Sequence, residues 1–182
     1  MNERAIQNAL YPWLAFERGY LLSCPNYTPA HWFECDLFAV TKANFAVEFE
    51  VKISRADFKA DAKKGPDEYT RQRFGTMHPE NRAKYDVDLR SKHERLTDGD
   101  TRGPSRFFYV TPAGLIQLAE VPSFAGLIEL NHRNRPKVIK EAPKLHRTKV
   151  DDKVLANCRA VFYHRFWTLR RGLKEEAATV PE

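Results

Sequence analysis

Phe45 to Ile53 alternates residue by residue between two chemistries. Phe45, Val47, Phe49, Val51 and Ile53 share one face of an extended strand, and Ala46, Glu48, Glu50 and Lys52 share the other. A face of five apolar side chains belongs against a core, which puts this strand at or near the centre of a sheet. The opposite face then carries charge where charge is expensive to bury. Two carboxylates at alternate positions stand ~7 Å apart and repel by about 2 kcal/mol at an effective dielectric of 20. A divalent cation reverses the sign of that interaction. The competing reading makes 46–53 an edge strand with a solvated polar face and a surface pair of Glu50 with Lys52.

The neighbouring segment weighs against the edge strand. Asp36 to Val40 reads as a strand and Lys42-Ala43-Asn44 as a turn. If the turn makes the two strands a hairpin, Asp36 reaches the point that Glu50 reaches. Two hard oxygen ligands with open positions suit Mg²⁺ or Mn²⁺ bound with waters, not zinc. Lys52 beside such an ion could orient a water for attack on phosphorus. Beyond it, Ser54-Arg55-Ala56-Asp57 is a helix-capping pattern, so a helix is expected from Ser54 to near Gly65-Pro66.

The other elements frame this stretch. Asn2 to Arg18 has apolar residues at helical spacing, with Asn2 to cap it, Gly19 to end it and Pro12 to kink it. Tyr20 to Ser23 reads as a short strand before a loop with Pro25 and Pro29. Strands follow at Arg106–Val110 and Ala125–Leu130, and a last helix at Asp151–Leu169 carries Leu155, Cys158, Phe162, Phe166 and Leu169 on one stripe. Residues 66–104 differ: of 39 residues only 8 are apolar and 16 are charged, with the charges cancelling. They read as a long, mobile insertion with helical fragments inside a single 1–182 domain.

Charge is distributed unevenly. Residues 1–130 hold 17 basic and 18 acidic groups, a net of −1, whereas 131–182 hold 13 and 6, a net of +7. A basic C-terminal lobe of this kind suits a polyanion, with Arg133, Arg135, Lys137, Lys144, Arg147 and Lys149 as its candidate phosphate contacts, or else it is simply a solubilising surface. Other classes fall away. No apolar run approaches the ~20 residues of a membrane span, and no secretory leader is visible. Cys24, Cys35 and Cys158 form no C-x-x-C pair, which argues against a disulfide framework or zinc site and for a reducing cytoplasm. The histidines lack zinc-ligand spacing, and no Gly-rich phosphate loop is present.

Asp36, then thirteen residues, then Glu50-Val51-Lys52 resembles the motif of the PD-(D/E)XK phosphodiesterases, the superfamily of restriction enzymes and Holliday-junction resolvases. The fuller string from Glu48 to Phe58 is similar to a bacterial and phage branch, the MmcB-like DNA-repair proteins. Arg106 to Pro112, Val121-Pro122, Ala125 to Ile128 and Glu141 to Leu145 resemble later segments of that branch. Cys35 stands where the motif's proline would be, and residues 66–91 exceed the branch's usual length.

The resemblance implies an α/β fold with a restriction-endonuclease-like core, a short mixed β-sheet flanked by helices, and a metal site at one sheet edge. It implies a Mg²⁺-dependent deoxyribonuclease (Mn²⁺ substituting) in DNA repair, recombination or phage DNA processing, in the cytoplasm of a bacterial or phage-infected cell. On matching positions Asp36 and Glu50 hold the metal with the Val51 carbonyl, and Lys52 positions the attacking water. Glu3, Glu48 and Ser54 are accessory candidates, Ser54 chiefly as a helix cap. Paired cuts would call for a homodimer or a partner. A nuclease-fold module that binds DNA or a protein without cutting is the alternative, and an RNA-directed nuclease would use the same residues.

Overall fold

A computed structural model of the chain describes residues 2–66, 68–85 and 87–178. By its contacts the chain separates into two compact units, Met1–Lys149 and Val150–Glu182, where the sequence reads as one domain. The first unit is a mixed α/β structure around one six-stranded sheet. Its strands run in sequence order: β1 (Leu22–Tyr27), β2 (Cys35–Val40), β3 (Ala46–Val51), β4 (Arg106–Pro112), β5 (Ala125–Leu130) and β6 (Pro136–Lys140). Strands β3, β4 and β5 are parallel to one another, and β1, β2 and β6 are antiparallel to their neighbours.

The hairpin of β2 and β3 forms as the alternation requires. Leu37 pairs with Phe49 and Val40 with Ala46, and Asn44 takes a left-handed turn conformation that an asparagine tolerates. β3 lies between β2 and β4 and all six of its residues are buried, which excludes the solvated edge strand. Phe45 precedes the strand, and Ile53 falls past its end and is 46 % exposed, so the apolar face within β3 is two residues shorter than the alternation suggests.

One face of the sheet packs on α1 (Glu3–Pro12). Ile6 and Leu10 of α1 and Leu14 after it are fully buried against Leu37, Ala39, Val47, Phe49, Val51, Phe108 and Val110. Asn2 caps α1 through the Ala5 amide. Pro12 has no N–H to give, and the helix continues as a wider π-helical turn over Trp13–Glu17, closed by Gly19 at φ 63°. Phe49 stacks on Phe108 with centroids 5.6 Å apart. A side chain at Gly126 would collide with the Phe108 ring, so β5 approaches β4 closely only because that residue has none.

The opposite face is covered by α2 (Arg55–Asp61) and α5 (Lys92–Thr97). Phe58 meets Tyr109 edge-on, and His93 meets Phe124. Ser54 caps α2 by accepting from the Asp57 amide, but the helix ends at Asp61, short of Gly65-Pro66. α3 (Glu68–Phe74) and α4 (Pro79–Lys84) are the helical fragments expected between 66 and 104. The end of that segment is anchored rather than loose. Ser91 and Glu94 cap α5 reciprocally, Leu96 is buried, and Arg90, Arg95 and Arg102 grip Asp88 and Asp100.

β1 runs to Tyr27 and includes Pro25, which an edge strand accommodates because one side of its backbone is unpaired. β6 was not legible, and it splits the basic C-terminal segment. Residues 131–149 belong to the sheet unit, and the second unit is α6 (Asp152–Ala178), which begins with Asp151 capping the Val154 amide and runs beyond Leu169. Among the described residues no helix is long and apolar enough to cross a membrane.

The arginine-held carboxylates give an acid-sensitive corner. The Arg90 hydrogen bond, against the opposing effect of burial, lowers the Asp88 carboxyl to about 2. A depressed carboxylate contributes stability above its unfolded value and loses it as pH falls toward the folded one. Amide chemical shifts across 88–102 are therefore expected to move between pH 4 and pH 2 with a midpoint below that of a free aspartate. A midpoint at the free-aspartate value would show that these bonds do not hold in solution.

Candidate functional site

Continuing the β2–β3 register one step past Leu37 and Phe49 sets Asp36 opposite Glu50, on the face that also carries Glu48. The Asp36 carboxylate accepts the Val51 amide at 2.7 Å, so it is the Val51 N–H that Asp36 engages. Burial, then the charge of Glu50, pushes the Asp36 carboxyl up to about 7, and Glu3 adds to the effect. Glu3 is held near by Gln7, whose amide nitrogen lies within 2.8–2.9 Å of Glu3 Oε1, Asn26 Oδ1 and the Asp36 carbonyl. The sequence candidates Glu3, Asp36, Glu50 and Lys52 are thus brought together.

Glu48 and Glu50 are both fully buried and are compensated by lysines. Glu50 Oε1 is bonded by Lys52 at 2.9 Å and by Lys64, while Oε2 accepts Lys92 at 2.7 Å. Lys92 also contacts Glu48 Oε1, and Trp32 Nε1 donates to Glu48 Oε2 at 2.9 Å. Burial opposes the charge on Glu50, but Lys92, Lys52 and Lys64 together hold its carboxyl below the usual range. Glu48 has less help, and burial raises it. Lys52 reaches further, to Asp61 Oδ1 at 2.8 Å. Burial disfavours its charge, yet Glu50 and Asp61 lift its pKa well above that of a free lysine. Its Nζ lies within ion-pair distance of both carboxylates.

Asp61 closes the cluster. Tyr109 Oη donates to Asp61 Oδ2 at 2.7 Å, and His93 Nε2 lies 2.9 Å from the same oxygen and 2.9 Å from the Tyr109 hydroxyl. Lys64, Lys92, Asp61, His93 and Tyr109 were missed by sequence reasoning. Only Asp61 and Lys64 had a signal, since they lie on and just beyond the helix that follows the motif.

Asp36 and Glu50 lie on two interior strands of the sheet, β2 and β3. Ser54 is a cap whose side chain serves the Asp57 amide. The six basic candidates divide. Arg133 and Arg135 lie in the β5–β6 turn, at the C-terminal edge of the parallel strands where β3 presents Glu50. Lys137 lies on β6 and is exposed, as is Arg147. Lys144 and Lys149 stand over the Phe45 ring at 3.7 and 6.0 Å, five residues and ~16 Å of strand from Glu50. The basic residues therefore do not form one cradle at the centre.

A divalent cation can be tested against these donors. Asp36, Glu50 and Glu3 carry hard oxygen donors, and burial first, then the charge of Glu50, disfavours the charged form of Asp36. Among the described residues no three carboxylate, imidazole or thiol groups converge as a complete cage. A hydrated Mg²⁺ or Mn²⁺ asks the protein for only one or two carboxylates, and Asp36 and Glu50 are the donors of that kind here, with the Glu50 oxygens now bonded by lysines.

No protein-family model and no curated protein matches the chain. A solved structure of a protein of unknown function from Silicibacter pomeroyi superposes with a TM-score of 0.61 at 17 % identity, covering 93 % of this chain and 92 % of that one. The α/β fold is shared with that protein.

Proposed function

We propose that this chain hydrolyses DNA phosphodiesters with a divalent cation. The observation that carries the reading is the placement of Asp36 opposite Glu50 on paired strands, with Lys52 bonded to Glu50. Asp36 and Glu50 would hold Mg²⁺ or Mn²⁺, which when bound supplies positive charge to the non-bridging oxygens of the phosphate. Lys52, fixed between Glu50 and Asp61, would position the attacking water and stabilise the charge developing on the phosphate oxygens. Asp61, held by Tyr109 and His93, keeps that ammonium in place. Arg133 and Arg135 are the basic candidates best placed to meet a duplex approaching the C-terminal edge of β3 and β4.

One observation favours a second reading, a nuclease-fold module that binds DNA or a protein without cutting. Glu50 is already engaged by three lysines. A cleavage assay on supercoiled, linear, single-stranded and branched DNA separates the two, run in Mg²⁺, Mn²⁺ or EDTA with Asp36→Asn in parallel. Products that need the metal and vanish in Asp36→Asn are expected. Salt-sensitive binding that survives EDTA and the substitution, with no products on any substrate, would replace the hydrolase with the binding module.

A further inference from the structure

We infer that Lys64 is a displaceable counter-cation, occupying on Glu50 the place a divalent ion takes, so that metal loading swings this lysine out of the centre. The inference rests on the hydrolytic reading above and deepens it.

A carboxylate has four lone-pair sites on its two oxygens. Glu50 Oε1 carries both Lys52 and Lys64, and Oε2 carries Lys92. The remaining site lies on the oxygen beside Lys92, and neither Glu50 nor Lys92 is exposed. Of the three ammonium groups on Glu50, the one an ion arriving from solvent meets is that of Lys64, whose side chain is 43 % exposed.

The three lysines are not equally able to leave. The Lys52 and Lys92 side chains are 2 % and 0 % exposed and each bridges two carboxylates at close range. Pulling either out would strand buried charge. The Lys64 side chain is 43 % exposed. Its second contact, to Asp61 Oδ1, is long at 3.3 Å, and Asp61 keeps Lys52, Tyr109 and His93 without it. Lys64 also follows α2, and its carbonyl accepts the Lys92 amide at 3.0 Å. Its backbone is thus pinned to that of Lys92 while its half-exposed four-carbon side chain can turn to water.

The charges point the same way. Lys52, Lys64 and Lys92 all contact Glu50, so an incoming dication adjacent to it meets a resident positive charge at contact distance even with Asp36 opposite and Asp57 3.6 Å from Lys52. Removing that charge should tighten binding of the ion about tenfold.

The test is a Mn²⁺ titration by electron paramagnetic resonance, repeated with Mg²⁺ by calorimetry. The samples are the full chain and its Lys64→Met, Lys64→Gln and Asp36→Asn variants, each checked for its fold by circular dichroism. Both Lys64 variants are expected to bind the ion about tenfold more tightly than wild type, and Asp36→Asn to lose it. Equal or weaker binding in the Lys64 variants, with binding still lost in Asp36→Asn, would overturn the role of Lys64 and leave the metal site standing. Absence of binding in every sample would overturn both.

Discussion

Lys92→Met is expected to lower the free energy of unfolding in urea by about 3–5 kcal/mol, the cost of leaving a buried ion pair without one partner. Lys92 is fully buried, serves Glu48 and Glu50 at once, and runs its stem past the Phe107 ring with Nζ 5.4 Å from the centroid. Methionine keeps most of the volume, so the loss reports charge rather than packing. Without Lys92, Glu48 retains the Trp32 indole as its hydrogen-bond donor, and Glu50 retains two ammonium groups. Glu48 is already raised by burial, and losing the Lys92 charge should raise it further. A carboxyl with a raised folded pKa is less destabilising at low pH, so the deficit should be larger at pH 8 than at pH 5. Glu48→Gln combined with Lys92→Met should recover part of it, because the charge left unpaired is removed with its partner. A single-variant loss under about 1 kcal/mol would mean that the two glutamates are already neutral in the folded protein, against the geometry.

On the hydrolytic reading proposed above, Lys52→Ala is expected to reduce metal-dependent cleavage by about 10²–10³-fold, the scale on which one preorganised donor to a developing anion contributes. DNA affinity should change little, because Lys52 is buried and bonded to Glu50 and Asp61 rather than offered to a phosphate backbone. Single-turnover cleavage at saturating protein, beside a binding isotherm, separates the chemical step from association. The substitution also strands Glu50 and Asp61, so the folded fraction has to be measured in the same samples. Cleavage that survives with a folded variant would remove Lys52 from the reaction.

Much of the centre was legible because it is local. The alternation from Ala46 to Val51, the turn at Asn44 and the position of Asp36 are separated by a dozen or so residues, and strand period and hairpin register tie them together. Ser54 as a cap follows from the same short-range rules. What was not legible is how the protein tolerates two buried glutamates on one strand face. Sequence reasoning asked for a metal there. The structure supplies lysines, one of them 42 residues away on a helix inside the segment that composition marks as loosest. A polar, charge-balanced stretch looks the same in sequence whether its charges are solvated or spent on a buried partner.

The division between the two levels has a physical cause. Periodicity and capping act over a few residues, and from them alone the chain specifies a central strand with acid on one face, its hairpin partner and the helix that follows. Which cations meet that acid is a matter of long-range packing. It depends on α5 folding over the second face of the sheet, on the Lys64 carbonyl meeting the Lys92 amide, and on β4 bringing Tyr109 beneath Asp61. The basic C-terminal stretch was separated in the same way, its first part joined to the sheet as β6 and its remainder set apart as α6, because strand pairing and helix formation respond to backbone partners and not to net charge.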